Sequence, residues 1–275
     1  MLDRARRAQD RLDRGDARGR RHLRRGHARS RSRLCRARKR REARLSDVAV
    51  ITGATRGIGL AAAHAFARRG LSVALLGHPG ERLASAAAAV GASLAKGASA
   101  RAVACDVASE SDVARASAEV LGAMGAPRVV VNNAGIVRRD VRIHETRPED
   151  WDEVIAVNLR GPFLISRAFL PAMLAAGRGR FVHVSSISAT LGSPGAASYA
   201  ASKWGLVGFA KSLAEELRGT GLASIALLPG SVDTEMLVGS GFAPRMTADD
   251  VAAMIVHTGL DAPDALTGSA VEMFG

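Results

Sequence analysis

Tyr199 is the chain's single tyrosine, and Lys203 follows it by four residues. On a helix that spacing puts both side chains on one face. An ammonium beside a phenol favours the phenolate and lowers the tyrosine pKa towards working pH. A phenol tuned in this way can give a proton to a carbonyl oxygen or take one from an alcohol. Upstream, Ser185 and Ser186 close an apolar run. On a strand their side chains point in opposite directions, so one of the two can face the phenol and hold the same oxygen. A second group of residues suits a phosphate. In Thr52-Gly53-Ala54-Thr55-Arg56-Gly57-Ile58-Gly59 the glycines let the backbone turn tightly and come close to a ligand. A helix starting there offers free N–H groups and the positive end of its dipole.

These residues need elements to hold them. From Asp47 onward short apolar runs alternate with helical patterns. The runs Val48–Thr52, Ser72–Leu76, Arg101–Cys105, Arg128–Val131, Arg180–Ser185, Ala223–Leu228 and Ser269–Met273 read as strands. The early ones are continuously apolar, as parallel strands buried on both faces should be. Helices are predicted at about 57–69, 80–95, 110–123, 149–176, 199–218 and 247–259. This alternation implies an α/β fold: one Rossmann-type doubly wound parallel sheet of about seven strands, with helices on both faces. A glycine turn between a buried strand and an amphipathic helix points to a dinucleotide.

The spacing of that turn is Gly-x-x-x-Gly-x-Gly, and with it the chain resembles the short-chain dehydrogenase/reductase family. The resemblance covers about residues 46–275 and rests on several ordered motifs. Asn132-Asn133-Ala134-Gly135 follows the fourth strand, and Asn158 lies in Val157-Asn158-Leu159. Ser186 precedes Tyr199 by thirteen residues, which selects it over Ser185. Pro229-Gly230-Ser231-Val232-Asp233-Thr234 follows the sixth strand. The resemblance implies hydride transfer between a nicotinamide cofactor and a substrate carbon, interconverting a secondary alcohol and a ketone. Asn158, Ser186, Tyr199 and Lys203 are then the expected catalytic residues. Lys203 would also bind the nicotinamide ribose, and Asn158 would support a water-linked proton relay to it. The implied cofactor contacts are Gly53, Thr55, Arg56, Gly57, Ile58, Gly59, His78, Asp106, Val107, Asn133, Ala134, Gly135, Tyr199, Lys203, Pro229, Gly230, Val232 and Thr234.

An acid at the end of the second strand would bond a ribose 2′-OH. Here that stretch reads Leu75-Leu76-Gly77-His78, without an acid, and Arg56 stands in the glycine turn. A 2′-phosphate suits that charge, with His78 as a helper, so NADP is expected over NAD. The nearest branch in appearance is the 3-oxoacyl-[acyl-carrier protein] reductases. Arg138, Arg139 and Arg142 could then meet an acidic carrier or its phosphopantetheine arm; solvated loop charges are the plainer reading. The stretch Glu235–Met246 is short for a substrate lid. His64, His78, His144, His183 and His257 are scattered, so no metal site is expected. His183 reads as a satisfied core histidine, and Trp204 and Phe209 as packing residues.

The formal charge is +13 over 275 residues, which alone would suggest an anionic partner. Residues 1–45, however, carry 19 Lys and Arg against five acids, a net +14, so residues 46–275 come to −1. The first 45 residues lack Phe, Tyr, Trp, Val and Ile, and are expected to be a disordered Arg-rich tail. The folded pattern begins near Leu45, so this stretch could also lie upstream of the true start. The competing readings are a nucleic-acid-binding arm, though aromatics for base stacking are missing, and a dinucleotide-binding protein that does not catalyse. Two cysteines in unlike surroundings argue for a reducing compartment, and no apolar run is long enough for a membrane span. A cytoplasmic homodimer or homotetramer acting on a small carbonyl or alcohol, free or carrier-linked, is the resulting expectation.

Overall fold

The computed structural model describes residues 47–275 apart from Lys96 and Ser193; the Arg-rich segment and the expectations placed on it lie outside the described residues. Seven parallel strands form one sheet in the order β3-β2-β1-β4-β5-β6-β7. They are β1 (Val48–Thr52), β2 (Ser72–Gly77), β3 (Ala100–Ala104), β4 (Val129–Asn132), β5 (Gly179–Val184), β6 (Leu222–Pro229) and β7 (Ala270–Met273). All seven predicted strands are present, with ends that match or differ by one residue. β1, β2, β4, β5 and β6 are buried almost throughout, which is why their sequences alternate so little. β3 lies at the sheet edge and exposes Arg101 and Ala102.

Seven helices connect the strands: α1 (Gly57–Arg68), α2 (Glu81–Gly91), α3 (Glu110–Met124), α4 (Pro148–Ile155), α5 (Gly161–Ala176), α6 (Ala197–Glu216) and α7 (Ala248–Val256). Phe66 of α1, Val90 of α2 and Ile255 of α7 pack on one face of the sheet against Ile51, Leu75 and Val131. Val120 of α3, Phe169 of α5 and Leu213 of α6 pack on the other, against Val50, Val130 and Phe181. Side chains alternating along each strand thus feed two separate cores.

The helix predicted over 149–176 is two helices joined by a π-helical turn, Ala156–Arg160. Pro162 has no N–H to bond the carbonyl four residues back, at Asn158, so a continuous α-helix is interrupted there. Neighbours fix the turn in place. A Cβ on Gly161 would stand 3.0 Å from Val107 Cγ2, and one on Gly205 of α6 would stand 2.8 Å from Leu159 Cδ2. Single-turn π bulges of this kind occur often at functional sites.

The strand order reverses between β1 and β4. In doubly wound sheets ligands bind outside the carboxyl ends of the strands at that point. The glycine turn leaves β1 there, and Asn133-Ala134-Gly135 leaves β4 beside it.

Candidate active site

Thr52 joins the two loops at this crevice. Its hydroxyl accepts the backbone N–H groups of Asn133 and Ala134, both at 3.0 Å, and donates to the Val131 carbonyl at 3.3 Å. Asn133 Nδ2 returns to the carbonyls of Thr52 and Gly53, at 3.0 and 3.2 Å. Gly53 and Gly57 take positive φ, +64° and +52°, and a Cβ on Gly53 would come 2.9 Å from Ala134 Cα. The N-terminus of α1 then opens on the crevice, with no side-chain cap and no acid in its first turn. Its free N–H groups suit an anion.

Asn158 is fully buried in the π turn. Its Oδ1 accepts from Ile136 N at 2.8 Å, and its Nδ2 donates to the Ile136 carbonyl at 2.9 Å and to Ser202 Oγ at 3.0 Å. Ser202 in turn donates to the Tyr199 carbonyl at 2.7 Å. The side chain therefore fastens the β4 loop to α6.

Lys203 is buried on α6, one turn after Tyr199, and its Nζ donates to the Val184 carbonyl at 2.9 Å. The Nζ stands 5.6 Å from the centre of the Tyr199 ring. A Cβ on Gly135 would lie 3.3 Å from Asn158 Oδ1 and 3.6 Å from Lys203 Nζ, so the backbone there passes close over both. Ser185 and Ser186 follow the end of β5 and take different partners. Ser185 Oγ donates to the Lys203 carbonyl at 2.9 Å. Ser186 Oγ accepts from Ser188 N at 3.1 Å and acts on the Tyr199 phenol.

The electrostatics differ from the sequence expectation. Burial raises the Tyr199 pKa above its ordinary value; Ser186 and the charge of Arg139 pull it back only in part. Lys203 does not lower it, and burial brings the lysine's own pKa down to about 8.

The remaining expected contacts surround the crevice. Asp106 follows β3, and its Oδ1 accepts from Ala108 N at 2.9 Å. Val107 is buried against Gly161. Thr55 approaches Gly77, where an added Cβ would sit 3.0 Å from its Cγ2. Ile58 is half-buried and Gly59 fully buried at the start of α1, while His78 is exposed. Pro229 ends β6, and Gly230 N bonds the Met273 carbonyl at 2.8 Å. Val232 is buried and pairs with Met246, which closes the lid segment at its base. Thr234 leans on the glycine turn, where a Cβ at Gly57 would meet its Cγ2 at 3.2 Å.

Some features were not foreseen. Arg56 forms an ion pair with Glu235, the residue after Thr234, and Arg82 of α2 stands 4.0 Å from the same carboxylate. Arg82 belongs beside Arg56; its signal was a basic residue in the first turn of the helix after β2. Thr52 and Ser202 had no such signal, because a strand threonine and a helix serine are ordinary residues until the neighbours are known. The three arginines after β4 diverge. Arg138 pairs with Glu153 and, at 3.7 Å, with Asp150. Arg139 Nη1 donates to the Met236 carbonyl at 2.6 Å. Arg142 is exposed. Trp204 is 54% exposed, and is not the packing residue expected. Phe209 is one, with its ring edge-on to His183 at 5.5 Å. No helix among the described residues is long and apolar enough to cross a membrane.

Comparison with known proteins agrees with this arrangement. A family model described as short chain dehydrogenase matches residues 47–241. A 3-oxoacyl-[acyl-carrier-protein] reductase of Synechocystis sp. is 38% identical over 191 residues, covering 70% of this chain and 76% of the relative. A 2-(R)-hydroxypropyl-CoM dehydrogenase of Xanthobacter autotrophicus is 39% identical over 194 residues, covering 70% and 77%. A further 3-oxoacyl-[acyl-carrier-protein] reductase, from Aquifex aeolicus, is 37% identical over 191 residues, covering 69% and 75%. Sheet order, crevice and matched residues lead to one conclusion: the chain belongs to the short-chain dehydrogenase family and is an oxidoreductase acting on CH–OH groups.

Proposed function

We propose that the enzyme works with NADP(H) and reduces a ketone to a secondary alcohol, with Tyr199 as the proton donor. The observation that carries this reading is the convergence of Ser186, Tyr199, Lys203 and Asn158 beside the uncapped start of α1. When bound, the nicotinamide supplies the hydride. The chain's own residues do the rest. The free N–H groups of α1, with Gly53, Thr55, Gly57, Ile58 and Gly59, hold the phosphates. Asn133, Ala134, Gly135, Asp106, Val107, Pro229, Gly230, Val232 and Thr234 line the cofactor's path. Ser186 holds the carbonyl oxygen, and Tyr199 protonates it as negative charge develops there. Lys203 holds the ribose and passes protons on, and Asn158 fixes the loop over both.

The preference for NADP rests on Arg56 and Arg82, two guanidinium groups that converge on the Glu235 carboxylate, whose place a 2′-phosphate would take, and on the lack of an acid at the end of β2. His78 stands exposed nearby. A 3-oxoacyl thioester, free or carried by an acidic protein, is the substrate class the relatives' names suggest. Exposed Phe163 of α5 and Trp204 of α6 favour a homodimer or homotetramer built on these helices. The test is a panel of ketones and 3-oxoacyl thioesters read at the reduced-nicotinamide absorbance, with NADPH and NADH in parallel. NADPH should be preferred, and Arg56→Ala should erode that preference through the cofactor KM. Equal or better turnover with NADH would overturn the cofactor assignment.

A further inference from the structure

The loop after β4 contains a feature that cofactor binding does not require. Asp140 has φ of 61°, the only positive value outside glycine among the described residues. Holding a side chain there costs of order 1 kcal/mol or more, and such residues gather at functional sites. The neighbouring segment maintains it. Val141 N reaches the Gly195 carbonyl at 3.4 Å, and a Cβ on Gly195 would stand 3.0 Å from Asp140 Cα. Gly195 lies four residues before Tyr199.

This kink places Arg139. Three residues earlier, Ile136 is clamped by Asn158; on the far side, Arg139 Nη1 holds the Met236 carbonyl, two residues beyond Thr234. Arg139 therefore stands where the β4 loop, the segment leading to Tyr199 and the lid meet. It is half-buried, whereas Arg138 and Arg142 are exposed. Among the described residues no carboxylate pairs with it, and its charge is felt at the phenol. One of its five N–H groups is on a carbonyl, and a guanidinium fork binds oxyanions in a planar, two-point manner. Leu191 and Met236, on the two flanking segments, are exposed and give a ligand an apolar surface.

We propose that Arg139 binds an oxyanion (carboxylate, sulfonate or phosphate) carried on the same small molecule as the carbonyl that Tyr199 protonates. The inference rests on the reading of Tyr199 as the proton donor. It differs from a carrier-linked thioester, whose fixed charges lie at the far end of a long arm.

The experiment is steady-state kinetics with NADPH on small ketones, each offered as carboxylate, sulfonate or phosphate and as its neutral methyl ester. The wild-type enzyme should show a lower KM for at least one anionic form than for its ester, and that form identifies the oxyanion. Arg139→Gln should raise this KM by about 10- to 100-fold, the worth of a charged hydrogen bond, and leave the ester's KM unchanged. Arg139→Lys should recover part of the loss. NADPH fluorescence of each variant shows that the cofactor site is still formed. Equal use of acids and esters by the wild type, or a parallel change in both KM values on substitution, overturns the proposal. Preference for 3-oxoacyl thioesters, undiminished in Arg139→Gln, overturns it too but leaves the proposed function standing. If the wild type consumes no member of the panel, charged or neutral, the reading of Tyr199 fails, and this inference fails with it.

Discussion

Burial holds the Tyr199 phenol above its ordinary pKa, so at neutral pH it is a proton donor waiting for an acceptor. Removing the hydroxyl with Tyr199→Phe should lower kcat by about 10²- to 10⁴-fold, the usual worth of a positioned acid. NADPH affinity, measured by fluorescence titration, should be nearly unchanged; turnover close to wild type would remove Tyr199 from the mechanism. His183 makes a different prediction. It is fully buried between Asn132 Nδ2, at 3.1 Å, and Ser224 Oγ, at 3.2 Å, and burial lowers its pKa to about 3. An unfolded chain takes up that proton near pH 6.5, while the folded one refuses it down to about 3. Its contribution to stability is therefore complete above pH 6.5 and lost as pH falls through that window, at up to about 1.4 kcal/mol per pH unit. Urea midpoints from pH 7.5 to 4.5 should fall more steeply for wild type than for His183→Gln, and identical slopes would dismiss this account.

Among the elements, the start of α1 is the most tightly constrained. A methyl on Gly59 would overlap the Gly53 carbonyl and stand 2.6 Å from Asn133 Nδ2. Gly59→Ala should destabilise by about 1–3 kcal/mol, as overpacking does, and weaken NADPH binding, since β1, α1 and the β4 loop share this contact. A denaturation midpoint equal to wild type would show that the turn can relax. The same elements show what the sequence makes legible. Buried strands announce themselves through runs such as Val48–Thr52, and the glycine turn through its spacing, because both are local patterns. The π turn was missed because the apolar rhythm of 149–176 continues through it; only Gly161-Pro162 interrupts the hydrogen bonding. The paired roles of Arg56 and Arg82 with Glu235, and of Thr52 with the β4 loop, are long-range contacts that no local pattern encodes. The spacing of Tyr199 and Lys203 was visible, but their pKa values depend on burial by other elements, and the expected lowering of the phenol reversed.

At the scale of the whole molecule, the basic excess and the chemistry fall on different parts of the chain. Residues 46–275 form one compact unit by themselves. A chain starting at Ser46 should keep the thermal midpoint and kcat of the full chain, and should lose any salt-sensitive retention on a polyanion column; a drop in kcat would tie the Arg-rich segment to catalysis. The composition of the molecule also has a practical consequence. Its only tyrosine is Tyr199, the proposed proton donor. Feeding ring-labelled tyrosine during expression would give an NMR spectrum with a single aromatic tyrosine signal set, all of it from the active site. Ultraviolet difference spectra of phenolate formation would likewise report one ionisation, with no background from other phenols to subtract. Every approach of cofactor or ketone to that ring could be followed without a reporter group, in a protein that already carries its own.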